Sequence, residues 1–318
     1  MNTLYIVTTN QCQMHCPFCY CNFIPQFQET KESDHINEDM VSSILHGAYN
    51  GMKFDYVIFH GGEPLLYPKT ILSIMDKCKD IENMNFSIQT NLAFKQLSPD
   101  QLRVLSLLPN GYGTSYNIDR FYENKEFKEY FEHNIRELSS LGIYGSLLVT
   151  VTDEQIKRQN PRALYNYIKS LQGIREVIFE RPIFPIETIK ANKLKYTNLY
   201  QEVDKYLELC AQIFPRDMTN LFWMVDKALK HNLYLYNTEC SKTTLTLYND
   251  RLKFGCPSLE KRNDENTFPM EECMKCRFYK YCGRDCECFN HVCAFPKRTF
   301  SYIKKEIENN DLNIPDPQ

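Results

Sequence analysis

The chain has no basic excess. Lysine and arginine number 37 against 40 aspartates and glutamates, a formal net charge of −3, so the positive stripe with which proteins hold RNA or DNA phosphates is missing. No apolar run approaches the length of a bilayer span. No secretory signal is read either, because an apolar stretch and a cysteine motif begin almost at Met1. Internal repeats and low-complexity tracts are absent. No general base stands out, and His60, Asp119, Glu180 and the tyrosines are unranked candidates. Neither nucleic acid nor membrane is expected as a partner. What the chain has in plenty is cysteine, 14 in 318 residues. Without a secretory route these read as metal-bound thiolates in a reducing cytoplasm and not as a disulfide framework.

The thiols fall into two fields. The first is Cys12-x3-Cys16-x2-Cys19, directly after the apolar run 4–7. Three thiolates do not close a four-ligand site, whereas a [4Fe–4S] cube takes one ligand per iron and is left with one open iron. A zinc knuckle completed by His15 or a later residue is the alternative, with His15 poorly placed between two of the cysteines. Cys21 reads as a bystander thiol. About forty residues on, a second short strand runs into His60-Gly61-Gly62-Glu63-Pro64. Two glycines let backbone approach a ligand closely, and a carboxylate can pair with an ammonium group.

Around these motifs, short β-rich runs alternate with amphipathic stretches. Strands are predicted at 4–8, 54–60, 85–90, 113–118, 146–151 and 176–181. Helices are predicted near 37–50, 68–82, 98–107, 125–140 and 161–171, with Asn37 and Ser98 as N-caps. Six strands separated by helices imply a parallel sheet of βα units. Two further helices, 196–214 and 220–231, flank Pro215, and Cys78 and Cys210 sit on apolar helix faces as buried hydrophobes. A closing helix spans 295–310, before a polar tail.

On these residues the chain resembles the radical S-adenosylmethionine (SAM) superfamily: the three-cysteine loop with Phe18 before its last thiol, the Gly61-Gly62-Glu63-Pro64 turn, and Thr90-Asn91 at the end of the third strand. The resemblance implies an α/β fold, a curved (β/α)6 partial TIM barrel over residues 1–190, open on one side. It implies a [4Fe–4S] cluster on Cys12, Cys16 and Cys19, its open iron chelated by SAM. Gly61, Gly62, Glu63 and Pro64 would receive the SAM ammonium. Asn117 and Asp119, at the end of the fourth strand, would lie near the ribose or serve as plain loop formers. The pair Glu180-Arg181 reads as an ordinary salt bridge, with contact to substrate or to the SAM carboxylate as the rival.

The second cysteine field, 236–297, resembles the SPASM extension of such enzymes, a small Cys-rich auxiliary-cluster domain. Eight of the 14 cysteines fall between Cys240 and Cys293. The resemblance assigns Cys240, Cys256 and Cys286 to one auxiliary Fe–S cluster. Cys273, Cys276 and Cys282 go to another, completed by Cys293 or Cys288. Arg251 stands where the family has a glycine, and Tyr234 where it has a further cysteine. A zinc ribbon is the rival for Cys273 and Cys276. Residues 191–235 form a helical bridge in this reading and 298–318 a C-terminal helix and tail. No room is expected for a leader-binding winged helix. The implied activity is reductive SAM cleavage to a 5′-deoxyadenosyl radical that takes hydrogen from a ribosomally made precursor peptide, forming a crosslink such as a thioether or another oxidative change. Electrons would come from a flavodoxin or ferredoxin. A dehydrogenase or epimerase of a small sugar or alcohol is the runner-up, and a non-catalytic Fe–S sensor the third reading.

Overall fold

The structure, a computed structural model, describes residues 2–16, 19, 21, 36–47, 53–122, 125–184, 186–231, 244–248, 252–254, 275–278, 281 and 292–310. Six βα repeats come first: β1 (Thr3–Thr9), α1 (Glu38–His46), β2 (Tyr56–Gly61), α2 (Pro68–Lys77), β3 (Asn85–Thr90), α3 (Pro99–Ser106), β4 (Tyr112–Tyr116), α4 (Ile118–Tyr122), α5 (Lys125–Ser140), β5 (Gly145–Thr150), α6 (Asp153–Arg158), α7 (Pro161–Leu171) and β6 (Ile174–Glu180). Helices α8 (Ile186–Ala191), α9 (Lys193–Ile213) and α10 (Asn220–His231) follow, then β7 (Thr244–Leu247), β8 (Leu252–Phe254) and α11 (Lys297–Asn310). The sheet runs in the order β6-β5-β4-β3-β2-β1-β7-β8, parallel throughout except for the antiparallel β7–β8 pair. Each of the first six strands therefore lies beside its predecessor, which is the winding of a partial (β/α) barrel.

The predicted caps form. Asn37 accepts from Met40 N at 3.0 Å, and Ser98 and Gln101 make a reciprocal capping box at the start of α3. β7 and β8 were not foreseen. β7 lies inside the cysteine-rich stretch, is four residues long, and finds its partner in β1 far back along the chain. The short helices α4, α6 and α8 were also missed, because five or six residues carry too little periodicity to read.

Period two along each strand sorts its side chains into two faces. Leu4, Ile6, Val57, Phe59, Ile88, Leu147, Val149 and Val177 point to the helices and have at most a trace of exposed surface; burying such a side chain stabilises by roughly 1.5–3 kcal/mol. The alternate residues Tyr5, Ile58, His60, Gln89, Ser115, Thr150 and Glu180 are less buried and face the concave side. The sheet thus presents a largely polar trough at the carboxyl ends of its strands.

The C-terminal helix is tied to α9 by one carboxylate. Asp204 accepts from Arg298 N at 2.8 Å, Thr299 N at 3.0 Å and the Thr299 hydroxyl at 2.8 Å, so a residue of α9 caps the N-terminus of α11. Asp204→Ala leaves those donors buried and is expected to cost roughly 2–4 kcal/mol. Denaturant unfolding of the single variant checks this; a loss below about 0.5 kcal/mol, the range of plain surface changes, would show that the cap is not needed.

Candidate active site

The three-cysteine loop and the Gly-Gly-Glu-Pro turn are built against each other. Gly62 N donates to Thr9 O and Glu63 N to Gln11 O, both at 2.7 Å. A Cβ on Gly61 would lie 2.3 Å from Thr9 O, and one on Gly62 would lie 2.1 Å from Gln11 O. Gly61 also has a φ of +137°, open to glycine and strained for other residues. The glycines are thus required where the turn packs against the cysteine loop. Pro64 opens a 3-10 turn, Pro64–Leu66, which Glu63 caps.

Glu63 is fully buried. Its Oε1 accepts from Leu65 N at 3.0 Å and the Thr90 hydroxyl at 2.7 Å, and its Oε2 accepts from Asn91 N at 2.7 Å. Burial pushes the carboxyl up to about 7 against these three stabilising donors. The carboxylate braces the ends of β2 and β3. It presents no surface, so contact with a ligand ammonium needs the surrounding shell to open. From Asn91 the network reaches the cysteines: Asn91 Nδ2 donates to Cys12 Sγ at 3.5 Å and to Gln13 Oε1 at 3.3 Å, while Gln13 Nε2 returns a bond to Asn91 Oδ1 at 3.0 Å.

Two cysteine sulfurs receive N–H donors. Met14 N lies 3.4 Å from Cys12 Sγ, and Arg120 Nε lies 3.3 Å from Cys16 Sγ. Burial pushes the Cys12 thiol up to about 12, so a metal must replace its proton before the sulfur carries charge there. Cys16 is buried and Cys19 partly so, with Cys19 N bonded to Cys16 O at 3.0 Å. No three His, Cys, Asp or Glu side chains among the described residues close on one point as the ligands of a single ion do. N–H donors on two of the three sulfurs are the kind of outer partner that metal-bound thiolates take. Cys21, whose thiol reaches Gly61 O at 3.7 Å, lies beside the turn.

Arg120 was missed. It stands on α4, just past β4, anchored by Nη1 to Ser115 O at 2.6 Å, and its charge acts on both Cys12 and Glu63. The available signal was a cation at the carboxyl end of a barrel strand, where catalytic groups collect. Asn117 and Asp119 are brought to the same rim but differ. Asn117 is 1% exposed, its amide donating to Thr150 O at 2.8 Å and its carbonyl accepting from Asp119 N at 2.8 Å. That side chain is consumed in joining β4 to β5. Asp119 Oδ2 accepts from the Thr152 hydroxyl at 2.9 Å, and its Oδ1 is buried with no hydrogen-bond partner among the described residues.

The Glu180-Arg181 bridge does not form. Arg181, the residue just past the end of β6, instead donates to Ala294 O. Burial alone pushes the Glu180 carboxyl up to about 7. His60, whose Nδ1 accepts from Gly61 N at 2.8 Å, is held down to about 4 by burial. A folded-state value above the unfolded 4.5 means that the native state binds the extra proton. Glu180 therefore costs stability progressively as pH rises from about 4.5 to about 7. Between about pH 5 and 7.5, Glu180→Gln should gain on the parent protein in urea midpoint. A constant gap would contradict the burial.

In the second field, Cys276 is half-buried and Cys293 exposed. Their segments meet through Phe278 and Phe295, ring centroids 5.8 Å apart. Cys240, Cys256, Cys273, Cys282, Cys286 and Cys288 lie outside the described residues, as do Phe18, Tyr234 and Arg251. Cys78 and Cys210 are buried in the core as expected.

Residues 6–156 match the Radical SAM superfamily model. An uncharacterized protein of Archaeoglobus fulgidus is 26% identical over 187 residues, 58% of this chain and 42% of its own length. One of Methanocaldococcus jannaschii is 33% identical over 94 residues, 29% of this chain and 30% of its own. The chain thus matches less than half of either relative. Among solved structures, Streptococcus suis SuiB bound to S-adenosylmethionine superposes with a TM-score of 0.56 at 12% identity, covering 90% of this chain and 73% of SuiB. SuiB bound to precursor peptide SuiA gives 0.55 at 13% identity, covering 90% and 72%. At such identities the likeness is one of fold.

Proposed function

With a radical SAM domain across residues 6–156 as premise, we propose that this protein is a radical SAM enzyme that modifies a ribosomally made precursor peptide. The observation that carries the reading is the single bonded unit formed by the cysteine loop, the Gly-Gly-Glu-Pro turn and Asn91 at the carboxyl ends of β1, β2 and β3. Cys12, Cys16 and Cys19 would hold a [4Fe–4S] cluster, which with SAM supplies one electron and a 5′-deoxyadenosyl radical for hydrogen abstraction.

The protein's own share is positioning. Met14, Asn91 and Arg120 aim N–H groups at the sulfurs, Glu63 fixes the turn that backs them, and Asp119 Oδ1 offers an acceptor for a ribose hydroxyl. The concave trough is where one C–H bond of the substrate would be held near the radical carbon. Two features support a peptide in that trough: its polar lining, and the shared fold with SuiB, described as bound to a precursor peptide. In the same reading the second cysteine field carries two auxiliary Fe–S clusters. The Phe278–Phe295 contact supports placing Cys276 and Cys293 on one of them.

We place the enzyme in the cytoplasm, where an acidic one-electron carrier of the flavodoxin or ferredoxin kind would reduce it. No helix among the described residues is long and apolar enough to cross a membrane. Anaerobically reconstituted, reduced protein should release 5′-deoxyadenosine from SAM, faster with a short peptide encoded beside its gene. Stimulation by a sugar or alcohol and not by peptide would replace the substrate assignment, and no release under any condition would remove the enzyme assignment.

A further inference from the structure

Glu180 is the carboxylate of the trough that the cluster site does not use. It ends β6, in register with Thr150 of β5. The residue before it, Phe179, packs edge-on against Phe214 at the end of α9, with ring centroids 5.2 Å apart. Glu180 therefore points the other way, into the concave face, along with Ile178 and Glu176. Its backbone is fixed, because its carbonyl accepts from Val151 N at 2.9 Å. The other carboxylate on this face, Glu176, accepts from the Ser146 hydroxyl at 3.3 Å. The Glu180 carboxylate makes no hydrogen bond or ion pair among the described residues, and the adjacent Arg181 is turned away to Ala294 O.

The carboxylate is partly exposed on the trough face, and no cation lies beside it among the described residues. A cationic group of a ligand entering the trough would therefore meet an unpaired carboxylate. We propose that Glu180 is the anionic anchor of the substrate trough, binding a primary ammonium or guanidinium group of the substrate, such as a lysine or arginine side chain flanking the modified residue. The inference rests on the peptide reading given above. Burial of the carboxyl, which raises its proton affinity, is the same desolvation that makes an ion pair formed there stronger than one at the surface. The anchor and the cluster loop belong to different strands of one sheet, β6 and β1. A substrate held by its cation at β6 would therefore span the trough towards the cysteine loop.

The test uses cluster-loaded protein with SAM under anaerobic conditions and two probes, N-acetyl-lysine methylamide and its side-chain acetylated, uncharged analogue, titrated by saturation-transfer NMR. The lysine probe should bind the parent protein about tenfold or more tightly than the acetylated one, and Glu180→Gln should remove that preference. Equal binding of the two probes to the parent protein, no binding of the lysine probe, or an undiminished preference in Glu180→Gln would each overturn the anchor. The two-probe comparison on the parent protein needs no variant, so misfolding of Glu180→Gln leaves the test intact. Release of 5′-deoxyadenosine by the same sample reads the cluster alone, so failure of the anchor and failure of the radical SAM reading are told apart.

Discussion

With Cys12, Cys16 and Cys19 replaced together by alanine, reconstituted protein is expected to hold about four fewer iron atoms per chain and to release no 5′-deoxyadenosine. The parent protein, with all three proposed clusters of the cubane type, should hold on the order of twelve. The three sulfurs are the only protein ligands of the proposed SAM-binding cluster, and two of them already lie at the ends of N–H donors from Met14 and Arg120. Removing the sulfurs leaves those donors and the buried loop around them with nothing to hold. Iron analysis and chromatographic assay of 5′-deoxyadenosine measure both effects. Retained cleavage in the triple variant would move the SAM site elsewhere in the chain.

The second large effect is expected from Glu63→Ala. Leu65 N, the Thr90 hydroxyl and Asn91 N all donate to this one buried carboxylate. Truncation strands all three, at roughly 3–5 kcal/mol of stability. Because Asn91 also donates to Cys12, iron should be lost along with SAM binding. Had Glu63 served only as a partner for the SAM ammonium, iron would stay and only affinity would fall, by about ten- to a hundredfold. Glu63→Gln sharpens the distinction, since an amide keeps the shape yet turns an N–H against one of the three donors. Full iron occupancy and unchanged unfolding in both variants would show that the carboxylate braces nothing.

How far the sequence carried these conclusions differed from residue to residue. The cysteine loop, the Gly-Gly-Glu-Pro turn and the first six strands were legible because their signals are local: a fixed spacing, a short motif, and alternation with period two. The capping residues Asn37 and Ser98 were legible for the same reason. The close packing of the glycines on the cysteine loop was not, because what lies over them is the backbone of Thr9 and Gln11, fifty residues earlier in the chain. Asn117 stayed open between a ribose contact and a plain loop former because its partner, the Thr150 carbonyl, belongs to the next strand. Arg120 went unnoticed because its significance is a distance to Cys16 that only folding creates. The absence of a Glu180-Arg181 bridge was not legible, because the partner that Arg181 takes, the Ala294 carbonyl, lies far along the chain.

The central claim is that Cys12, Cys16 and Cys19 hold a cluster whose open iron takes SAM. Pulsed EPR of the reduced protein with SAM, isotopically labelled in its amino nitrogen and carboxylate oxygens, tests this most directly. Hyperfine coupling from both labels to the cluster is the expected result, lost in the triple cysteine variant. A reduced cluster with SAM bound and no coupling to either label would contradict it.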